Sequence, residues 1–275
     1  MPELPEVETV RRGLEPVLLD RRIITAEKFS AKLRLPIPMD FTTRLEGQKV
    51  TALTRRAKYI LIHLDSALTV LLHLGMSGQV LIFKAPRKPE KHDHFRLLIE
   101  GGKTIIYRDP RRFGLVTFCP SDQIEDHKLL KGLGPEPLSN HFNGAALKGA
   151  LKGKTVSIKA ALLDQRVVAG VGNIYASEAL YRAAINPKRK AGSLSLPRCE
   201  SLASEVRNVL NDALQAGGSS LKDFVGVDGE LGYFQHRFEV YDRKGTACTR
   251  ADCKGRVRRF TQNARSTYYC PTCQH

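Results

Sequence analysis

Apolar positions near the start of the chain recur every three or four residues. The apolar residues of this stripe are Val7, Val10, Leu14 and Leu18. This spacing predicts an α-helix over residues 5–19. Pro5 suits the first helical position, and Glu6 suits the positive end of the helix dipole. Pro2 and Glu3 are therefore predicted to lie just outside the helix, on a short exposed lead.

From about residue 22 to residue 118 the pattern favours short β-strands. The candidate strands are Lys58–Leu64, Leu68–Leu74, Val80–Phe83, Phe95–Glu100 and Lys103–Arg108. The pair Gly101-Gly102 predicts a two-residue hairpin turn between the last two strands. The proline-containing, charged stretch Ala85–Asp93 is predicted to be a loop. Successive short strands with turn residues between them indicate an antiparallel sandwich or barrel.

Beyond about residue 125 the pattern becomes helical. Helices are predicted at 144–151, 158–165, 174–183 and 198–216. Gly217-Gly218 is predicted to end the last of these helices. Residues 217–236 are rich in Gly, Ser and Asp, which is typical of a long mobile loop. These changes of pattern divide the chain into parts spanning 1–125, 126–236 and 237–275.

Four of the six cysteines lie within the last 28 residues, at Cys248-x4-Cys253-x16-Cys270-x2-Cys273. Zinc prefers four tetrahedral thiolates, and two closely spaced pairs supply them from two tight turns. Strand-like runs at Arg256–Phe260 and Ser266–Tyr269 predict a β-hairpin finger with Arg265 near its tip. The alternative is four free thiols. The isolated Cys119 and Cys199 are interpreted as small buried hydrophobic residues.

The charge of the chain points to a polyanionic partner. Lys and Arg number 44 against 28 Asp and Glu, a net charge of +16. Nucleic acid is the first interpretation; an anionic membrane surface, or a basic protein that binds nothing, are the alternatives. Residues 237–275 hold nine Lys and Arg and three acidic residues, which favours phosphate contacts by the finger. Neither a membrane-spanning run nor a signal peptide is recognisable, so the cytoplasm is the expected compartment.

The opening block Met1–Val10 resembles the start of the formamidopyrimidine-DNA glycosylases, the bacterial enzymes that repair 8-oxoguanine. Further blocks similar to that family follow in its order: Arg55–Tyr59, His73–Gly78, Lys91–His94, Asp109–Gly114, Val171–Glu178 and Arg265–Cys273. Together they span nearly the whole chain. One departure is visible, because many relatives have x2 in the first cysteine pair where this chain has x4.

The resemblance implies an α+β fold: an N-terminal helix with an antiparallel β-sandwich, then a helix–two-turn–helix domain with a C-terminal β-hairpin zinc finger. It also implies a bifunctional DNA glycosylase and AP lyase of base-excision repair. Such an enzyme removes oxidised purines, 8-oxoguanine and formamidopyrimidines, from duplex DNA. The expected chemistry is an N-terminal proline iminium followed by β,δ-elimination. One structural zinc is expected, without a redox or nucleotide cofactor.

By resemblance, Pro2 becomes the nucleophile once Met1 is removed. An α-amino group has a reference pKa of about 7.7–8.0, so a useful fraction is neutral near physiological pH. A secondary amine forms a charged iminium that acts as an electron sink. Glu3 matches the acid that protonates the sugar or the leaving group, and Glu6 is expected to assist. The residues alone also allow Pro2 to be a mere chain start and the glutamates to balance the helix dipole.

Two further catalytic matches lie elsewhere in the chain. Lys58 matches the lysine that donates a proton for strand cleavage, although strand position alone also allows a solvated strand-end lysine. Arg265 matches the finger arginine of the second elimination, and is expected to clamp the phosphate beside the lesion.

A glycosylase reaches its bond only after the nucleotide leaves the stack, and the hole is then filled. Met76, Arg111 and Phe113 match the filling residues of the family, with Arg111 bonding the orphaned base. An aromatic residue in a strand-rich region is usually core, but the adjacent Arg111-Arg112 and Gly114 favour an exposed loop for Phe113.

Phosphate contacts are expected from residues spread over the rest of the chain. Asn173 is predicted to cap a helix whose N–H groups bind a phosphate. Lys154, Lys159 and His92 are predicted to contact phosphate or substrate. Glu178 is predicted to be an ion-pair partner that supports the site. The 217–236 segment matches the one that covers the damaged base.

Other function classes remain as alternatives. Endonuclease VIII, the sister class for oxidised pyrimidines, shares the proline, but usually has Gly where this chain has Leu4. That residue, the Arg111-x-Phe113 pair and the long loop favour the purine enzyme. A catalytically inactive zinc-finger DNA binder is disfavoured by the presence of Pro2, Glu3 and Lys58. An RNA-binding protein fits the charge, but no RNA-recognition motif occurs. We expect a monomer, associated with the nucleoid, acting on damaged double-stranded DNA.

Overall fold

The computed structural model describes residues 2–220, 226–227 and 232–275. The chain forms two compact units. The first comprises Met1–Lys131 and Ala216–Tyr233, and the second comprises Gly132–Gln215 and Phe234–His275. The chain thus leaves the first unit after Lys131 and returns to it for the segment that follows the last long helix. The three-part division at residues 125 and 236 stays a prediction.

The first unit contains two antiparallel four-stranded sheets. Its elements are α1 (Leu4–Leu18), β1 (Ile23–Lys28), α2 (Phe41–Leu45), β2 (Val50–Arg56), β3 (Tyr59–Leu64), β4 (Leu68–His73), β5 (Gln79–Phe83), β6 (Asp93–Ile99), β7 (Thr104–Arg108) and β8 (Leu115–Pro120). The strand orders are β1-β6-β7-β5 and β2-β3-β4-β8. The five predicted strands and the first helix are confirmed to within about two residues. Strands β1, β2 and β8 and helix α2 were not among the predicted elements.

One apolar core joins α1, α2 and both sheets. The rings of Phe41 and Phe95 lie 5.1 Å apart, and the ring of Tyr107 stacks on Phe95 at 5.1 Å. The apolar stripe of α1 is buried in this core, as its helical spacing predicts. The unit is therefore a sandwich with a helix packed along it.

The β6–β7 connection is one residue longer than predicted. The N–H of Ile99 donates to the carbonyl of Lys103 at 2.8 Å, which leaves residues 100–102 as the loop. Gly101 and Gly102 have φ values of +90° and +84°, which glycine adopts without steric cost. The glycine pair therefore does make the turn, with Glu100 as its first residue.

The second unit contains four α-helices, each confirmed close to its predicted bounds. They are α3 (Gly144–Leu151), α4 (Ile158–Leu163), α5 (Asn173–Arg182) and α6 (Leu196–Gln215). Asn143 and Ser157 cap α3 and α4 with side-chain oxygens. Gly217, with φ of +71°, follows the end of α6. No helix in the described part of the chain is long and apolar enough to span a membrane.

The segment after α6 was predicted to be a long mobile loop over 217–236. Residues 221–225 and 228–231 of that prediction lie outside the described residues. The two ends are fastened together: the N–H of Tyr233 donates to the carbonyl of Ala216 at 2.9 Å, and the N–H of Gly232 donates to Ser220 Oγ at 2.8 Å. A bridge between Ser219 and Tyr233 completes a stem, which we define as residues 216–220 and 232–233.

The C-terminal finger is a β-hairpin, as predicted. Strands β9 (Arg258–Gln262) and β10 (Arg265–Tyr269) pair antiparallel, shifted slightly from their predicted bounds. Asn263 and Ala264 form the two-residue turn, with φ values of +49° and +57°. Arg265 is the first residue after the turn and is exposed, so the tip position predicted for it is confirmed.

Candidate functional site

The N-terminal lead is buried, so its predicted exposure is wrong. Glu3 is the N-cap residue of α1 and is only 2% exposed, and Pro2 before it is also buried. The reason lies in Glu6, whose Oε2 accepts a hydrogen bond from the Glu3 N–H at 2.8 Å, as in a capping box. This bond holds the lead against the first turn of the helix.

Glu6 also reaches the stem of the long loop. Its second oxygen, Oε1, accepts a hydrogen bond from the Ser219 N–H at 2.8 Å. Gly218, with φ of +82°, lies so close that a Cβ there would be 3.1 Å from the same oxygen. One buried carboxylate therefore bonds both to the segment carrying Pro2 and to the stem.

Lys58 lies in the turn between β2 and β3, one residue before the strand that it was predicted to begin. It is 7% exposed, which excludes the solvated strand-end lysine. Arg55, from the same hairpin, pairs with Glu8 of α1 at 3.1 Å, and both side chains are largely buried. The hairpin that carries Lys58 is thus fixed to the helix that begins beside Pro2.

His73, which belongs to the motif His73–Gly78, lies in the same region. It ends β4 opposite Tyr59, and its Nδ1 accepts a hydrogen bond from the Gly75 N–H at 2.9 Å. Burial, with smaller effects from the charges of Arg34 and Lys58, lowers the pKa of His73 to about 3. The imidazole is therefore neutral at physiological pH, in a region of positive charge.

Two neighbouring turns of the first unit carry the predicted void-filling residues. Met76 lies in the turn after β4, and Arg111 and Phe113 lie in the connection between β7 and β8. Phe113 is 44% exposed, so its interpretation as a core aromatic is excluded. The guanidinium of Arg111 lies 4.9 Å from the centre of its ring. A cation and an apolar ring are thus presented together at the surface.

Two predicted contacts lie in loops. His92 is half-buried in the loop before β6, with φ of +75°, and its carbonyl accepts from the Asp109 N–H at 3.0 Å. Lys154 is half-buried between α3 and α4 of the second unit. Their contacts with phosphate stay predictions.

Asn173 does not cap its helix. Gly172 is the N-cap residue of α5, and Asn173 is the first helical residue. Its Nδ2 donates to the carbonyl of Ser266 at 3.0 Å and to the Tyr241 hydroxyl at 3.3 Å. The side chain thus joins the start of α5 to the finger hairpin, a role that depends on tertiary contacts and not on local sequence.

Lys159 is buried, at 1% exposure, where a contact with DNA was predicted. Its Nζ donates to the carbonyl of Ser266 at 2.9 Å and to Thr267 Oγ1 at 2.8 Å. A phosphate has no access to this ammonium in the structure. Lys159 therefore supports β10 from α4, and the prediction of a direct contact is corrected.

Glu178 is fully buried in α5, and its predicted ion pair is wrong. Its carboxylate accepts hydrogen bonds from three successive backbone N–H groups, of Glu239, Val240 and Tyr241, at 3.0, 3.0 and 2.7 Å. Burial raises the pKa of this carboxyl, and the three hydrogen bonds oppose that effect. Glu178 thus fixes the backbone that leads into the finger.

The four cysteines of the finger converge on one point. All four Sγ atoms lie within 4.8 Å of one another, with Cys248 and Cys273 at 3.8 Å and Cys253 and Cys270 at 3.6 Å. Four thiolates at a Zn–S distance of about 2.3 Å lie about 3.8 Å apart at the corners of a tetrahedron. The donor set fits a metal ion such as zinc, which favours a metal site over the alternative of four free thiols.

The longer first cysteine pair has a structural use. Thr249 bonds the hydroxyl of Tyr181 at 2.9 Å, and Arg250 donates to the carbonyls of Tyr181 and Arg182 at 2.7 and 2.9 Å. These carbonyls belong to the last turn of α5, where the regular helical hydrogen bonds end, and that of Tyr181 also accepts from the Ala184 N–H at 3.0 Å. The x4 spacing therefore anchors the finger to a helix while the four sulfur atoms still meet.

Comparison with known proteins gives matches over nearly the whole chain. Residues 1–116 match the profile described as the Formamidopyrimidine-DNA glycosylase N-terminal domain. Residues 133–225 match the Formamidopyrimidine-DNA glycosylase H2TH domain. The H2TH profile, the helix–two-turn–helix of the sequence analysis, thus begins near the start of the second unit.

Curated relatives and solved structures agree with these profiles. The chain is 53% identical to the formamidopyrimidine-DNA glycosylase of Dinoroseobacter shibae and 50% identical to that of Nitrobacter winogradskyi, over all of each chain. A Lactococcus lactis Fpg variant in complex with Fapy-dG containing DNA superposes with a TM-score of 0.92, at 32% identity and full coverage of both chains. The Fpg protein of Thermus thermophilus superposes with a TM-score of 0.87 at 39% sequence identity, and the match covers 99% of this chain and 98% of the Thermus chain.

The sandwich with its buried N-terminal segment, the helical unit and the four-cysteine finger define a DNA glycosylase that acts in the base-excision repair of damaged DNA. Sequence identity of 50% or more to curated relatives, over the full length of the chain, narrows this class to one family. The chain belongs to the formamidopyrimidine-DNA glycosylase family.

Proposed function

We propose that this glycosylase removes oxidised purines from duplex DNA and then cleaves the strand as an AP lyase, with Pro2 as the nucleophile. The observation that carries the proposal is the buried Pro2-Glu3 lead, whose backbone is held by the Glu6 carboxylate. A nucleophile gains rate from being held in a fixed position before the substrate arrives. Removal of Met1 supplies its free secondary amine.

The proposed chemistry begins with attack of the Pro2 nitrogen lone pair on C1′ of the damaged nucleotide. The bond from C1′ to the base breaks, and its electron pair leaves with the base, which takes a proton; Glu3 supplies the proton to the sugar or the base. The ring bond from C1′ to O4′ then breaks, O4′ takes up a proton and the proline nitrogen releases its own, which gives an iminium between that nitrogen and C1′.

The iminium then draws electrons for two eliminations. Loss of a C2′ proton breaks the C3′–O bond, and loss of a C4′ proton in a second elimination breaks the C5′–O bond. Each departing phosphate leaves with the electron pair of its C–O bond. We assign the proton donation for strand cleavage to Lys58, and a role in the second elimination to Arg265. Glu6 supports Pro2 and Glu3 through the backbone.

Binding is proposed to use residues of each unit. Met76, Arg111 and Phe113 fill the space that the flipped nucleotide leaves in the duplex. His92, Lys154, Asn173 and Arg265 contact phosphates, with Asn173 also joined to the finger. Glu178 supports the second unit's surface from inside. We propose that the enzyme works as a monomer on double-stranded DNA, in the cytoplasm at the nucleoid.

A structural zinc ion is proposed to be held by Cys248, Cys253, Cys270 and Cys273. Bound zinc supplies a cross-link that stabilises a short hairpin with little core of its own. The residues of the chain then present Arg265 at the tip of β9 and β10. No step of the reaction uses the metal.

The proposed preference for purines rests on Leu4, on the Arg111-x-Phe113 pair and on the long segment 217–236. The named complexes of the Lactococcus lactis protein include Fapy-dG, abasic-site and oxidised-pyrimidine DNA. The endonuclease VIII-like preference for oxidised pyrimidines is therefore the alternative that an experiment has to compare directly.

The test is borohydride trapping, which converts the iminium to a stable covalent adduct. Three duplexes are compared: 8-oxoguanine opposite cytosine, an oxidised pyrimidine, and an undamaged control. The wild-type enzyme is expected to form an adduct fastest on the purine lesion. Pro2→Gly, which leaves a primary amine on a more flexible terminus, is expected to slow trapping by about a hundredfold or more.

Each result is decisive. No adduct on any lesion, with DNA binding intact, would refute the lyase chemistry. A faster reaction with the oxidised pyrimidine would refute the purine preference alone. Unchanged trapping by Pro2→Gly, with mass spectrometry locating the adduct on a lysine, would assign the nucleophile elsewhere.

A further inference from the structure

The two turns that carry the void-filling residues are packed backbone against backbone. We call residues 74–78 and 109–114 the wedge turns. Gly75 has φ of +65°, and a Cβ at this position would lie 2.3 Å from the backbone of Phe113 and Gly114. Such a contact is sterically forbidden for any other residue. The turn of Met76 and the turn of Phe113 are therefore in direct contact.

A single carboxylate connects the wedge turns by hydrogen bonds. Asp109 is fully buried. Its Oδ1 accepts from the Ser77 hydroxyl at 2.6 Å and from the Arg111 N–H at 3.2 Å, and its Oδ2 accepts from the Gly114 N–H at 2.8 Å. Ser77 belongs to the first turn, and Arg111 and Gly114 belong to the second. Ser77 Oγ also accepts from the Arg111 N–H at 3.2 Å, which joins the turns directly.

The backbone of Asp109 is held by the neighbouring strand β6 and the loop before it. Its N–H donates to the carbonyl of His92 at 3.0 Å, and its carbonyl oxygen bonds Nε2 of the buried His94 at 2.8 Å. The hydroxyl of Tyr107 approaches Oδ2 at 3.4 Å. The position of the carboxylate is thus set by the sandwich, and not by the outer ends of the turns.

Burial makes this arrangement difficult to open one turn at a time. A buried carboxylate is tolerated only while hydrogen bonds compensate it, and a missing partner leaves a costly uncompensated charge. Movement of either wedge turn alone would remove at least one of the three donors that the wedge turns supply. The turns are therefore stable as a pair.

We propose that Asp109 is a positioning residue that joins the two wedge turns into one rigid wedge, so that Met76, Arg111 and Phe113 enter the duplex together. The inference rests on the proposed function, because it assumes that these three residues fill the vacated space. It adds a residue that touches no DNA and acts through Ser77, Arg111 and Gly114. Catalysis on a site that is already unstacked does not require the wedge.

The experiment compares Asp109→Asn and Ser77→Ala with a matched control. Asparagine keeps the shape of aspartate, but its NH₂ group faces a backbone N–H that donates to the wild-type carboxylate, either that of Arg111 or that of Gly114. Ser77→Ala removes the hydroxyl that links the turns. Thr69→Val is the control, because it removes a similarly buried hydroxyl of the same unit that has no part in the wedge turns. This hydroxyl forms a hydrogen bond with the Ser121 hydroxyl, at 2.7 Å.

Two substrates separate wedge insertion from chemistry. One is a duplex with 8-oxoguanine and 2-aminopurine at the neighbouring base pair, whose fluorescence reports unstacking. The other is an abasic site in single-stranded DNA. Both wedge variants are expected to slow the fluorescence change and duplex excision by about tenfold or more, and to keep single-strand trapping within about twofold of wild type. Thr69→Val is expected to keep both activities.

Equal losses on both substrates, or no loss on the duplex, would overturn the inference. If Asp109→Asn does not fold, Ser77→Ala carries the test alone. If both variants fold, the double variant is expected to lose less duplex activity, in free-energy terms, than the sum of the two single losses, because the substitutions break one network. Additive losses of duplex activity would count against the inference. Failure of the proposed function looks different, because the wild-type enzyme then gives no trapping on the single-stranded abasic site.

Discussion

Three buried carboxylates organise this enzyme at the scale of single residues. Glu6, Asp109 and Glu178 each accept hydrogen bonds from backbone N–H groups of more than one residue. Backbone N–H groups are fixed by the fold, so a carboxylate that they bind fixes two segments to each other. Each of these residues therefore acts by holding backbone in place.

Substitution of Glu6 by Gln is expected to slow base excision by about tenfold, with the fold retained. The amide keeps one acceptor, and its NH₂ group faces the N–H of either Glu3 or Ser219. Single-turnover excision on a lesion duplex measures the effect. Glu15→Gln is the matched control, because Glu15 lies on the same helix and its carboxylate pairs with Arg11 near the surface. Equal rates for the two variants would contradict a positioning role for Glu6.

His73 is expected to make stability depend on pH. Its pKa is lowered to about 3 in the folded protein, so the unfolded state takes up the proton first as the pH falls. The contribution of His73 to the free energy of unfolding is fully present above a pH of about 6.5, the pKa of the unfolded state. It decreases as the pH falls toward the folded pKa, by about 2 kcal/mol between pH 7 and pH 5. Urea unfolding at several pH values measures it. A His73→Gln variant that loses as much stability as wild type over this range would show that other groups are responsible.

At the scale of elements, side chains from two helices and from the finger itself attach the finger to the helices of the second unit. Lys159 from α4, Asn173 from α5 and Arg250 from the first cysteine turn all bond backbone carbonyls across this contact. A two-stranded hairpin is marginal by itself. The position of Arg265 therefore depends on these attachments as well as on a metal.

Arg250→Ala is expected to loosen the finger. It removes two hydrogen bonds to the carbonyls that end α5, which contribute about 1–2 kcal/mol for a half-buried charged donor. Zinc release to a chelator is expected to accelerate, and DNA affinity to fall. Arg256→Ala is the control, since Arg256 is exposed and bonds Gly245 within the finger at 2.9 Å. Identical release rates for both variants would show that the contact with α5 does not hold the finger.

The elements could be predicted where local sequence decides them. Helix α3 occupies its predicted residues because Asn143 caps it and its apolar residues keep helical spacing. The strands β1 and β2 were missed because short half-buried strands with charged residues carry a weak pattern. The contact of Glu6 with the stem could not be predicted, because its partner Ser219 lies 213 residues away in the sequence. The same holds for Lys159, whose partners lie more than 100 residues later.

At the scale of the whole molecule, the net charge of +16 dominates interactions with a polyanion. Each phosphate neutralised by a lysine or arginine releases bound counterions from the DNA. Binding to duplex DNA is thus expected to weaken linearly in a plot of log affinity against log salt, with a steep slope. Titrations by fluorescence anisotropy between about 50 and 200 mM salt measure it, over a range in which six to ten contacts lose about 10³–10⁵ in affinity. A flat response would contradict a phosphate-binding surface.

The stem at residues 216–220 and 232–233 has an evolutionary consequence. Because its ends are bonded to each other, the stretch between residues 220 and 232 is a cassette that begins and ends at fixed points. Doubling the length of a loop costs only about 0.6 kcal/mol, so insertions and exchanges there are inexpensive. After every such exchange the Ser219 N–H of the stem still bonds the same carboxylate of Glu6. Substitutions and insertions between residues 220 and 232 therefore leave the contact of the stem with Glu6, and through Glu6 the segment that carries Pro2, in place.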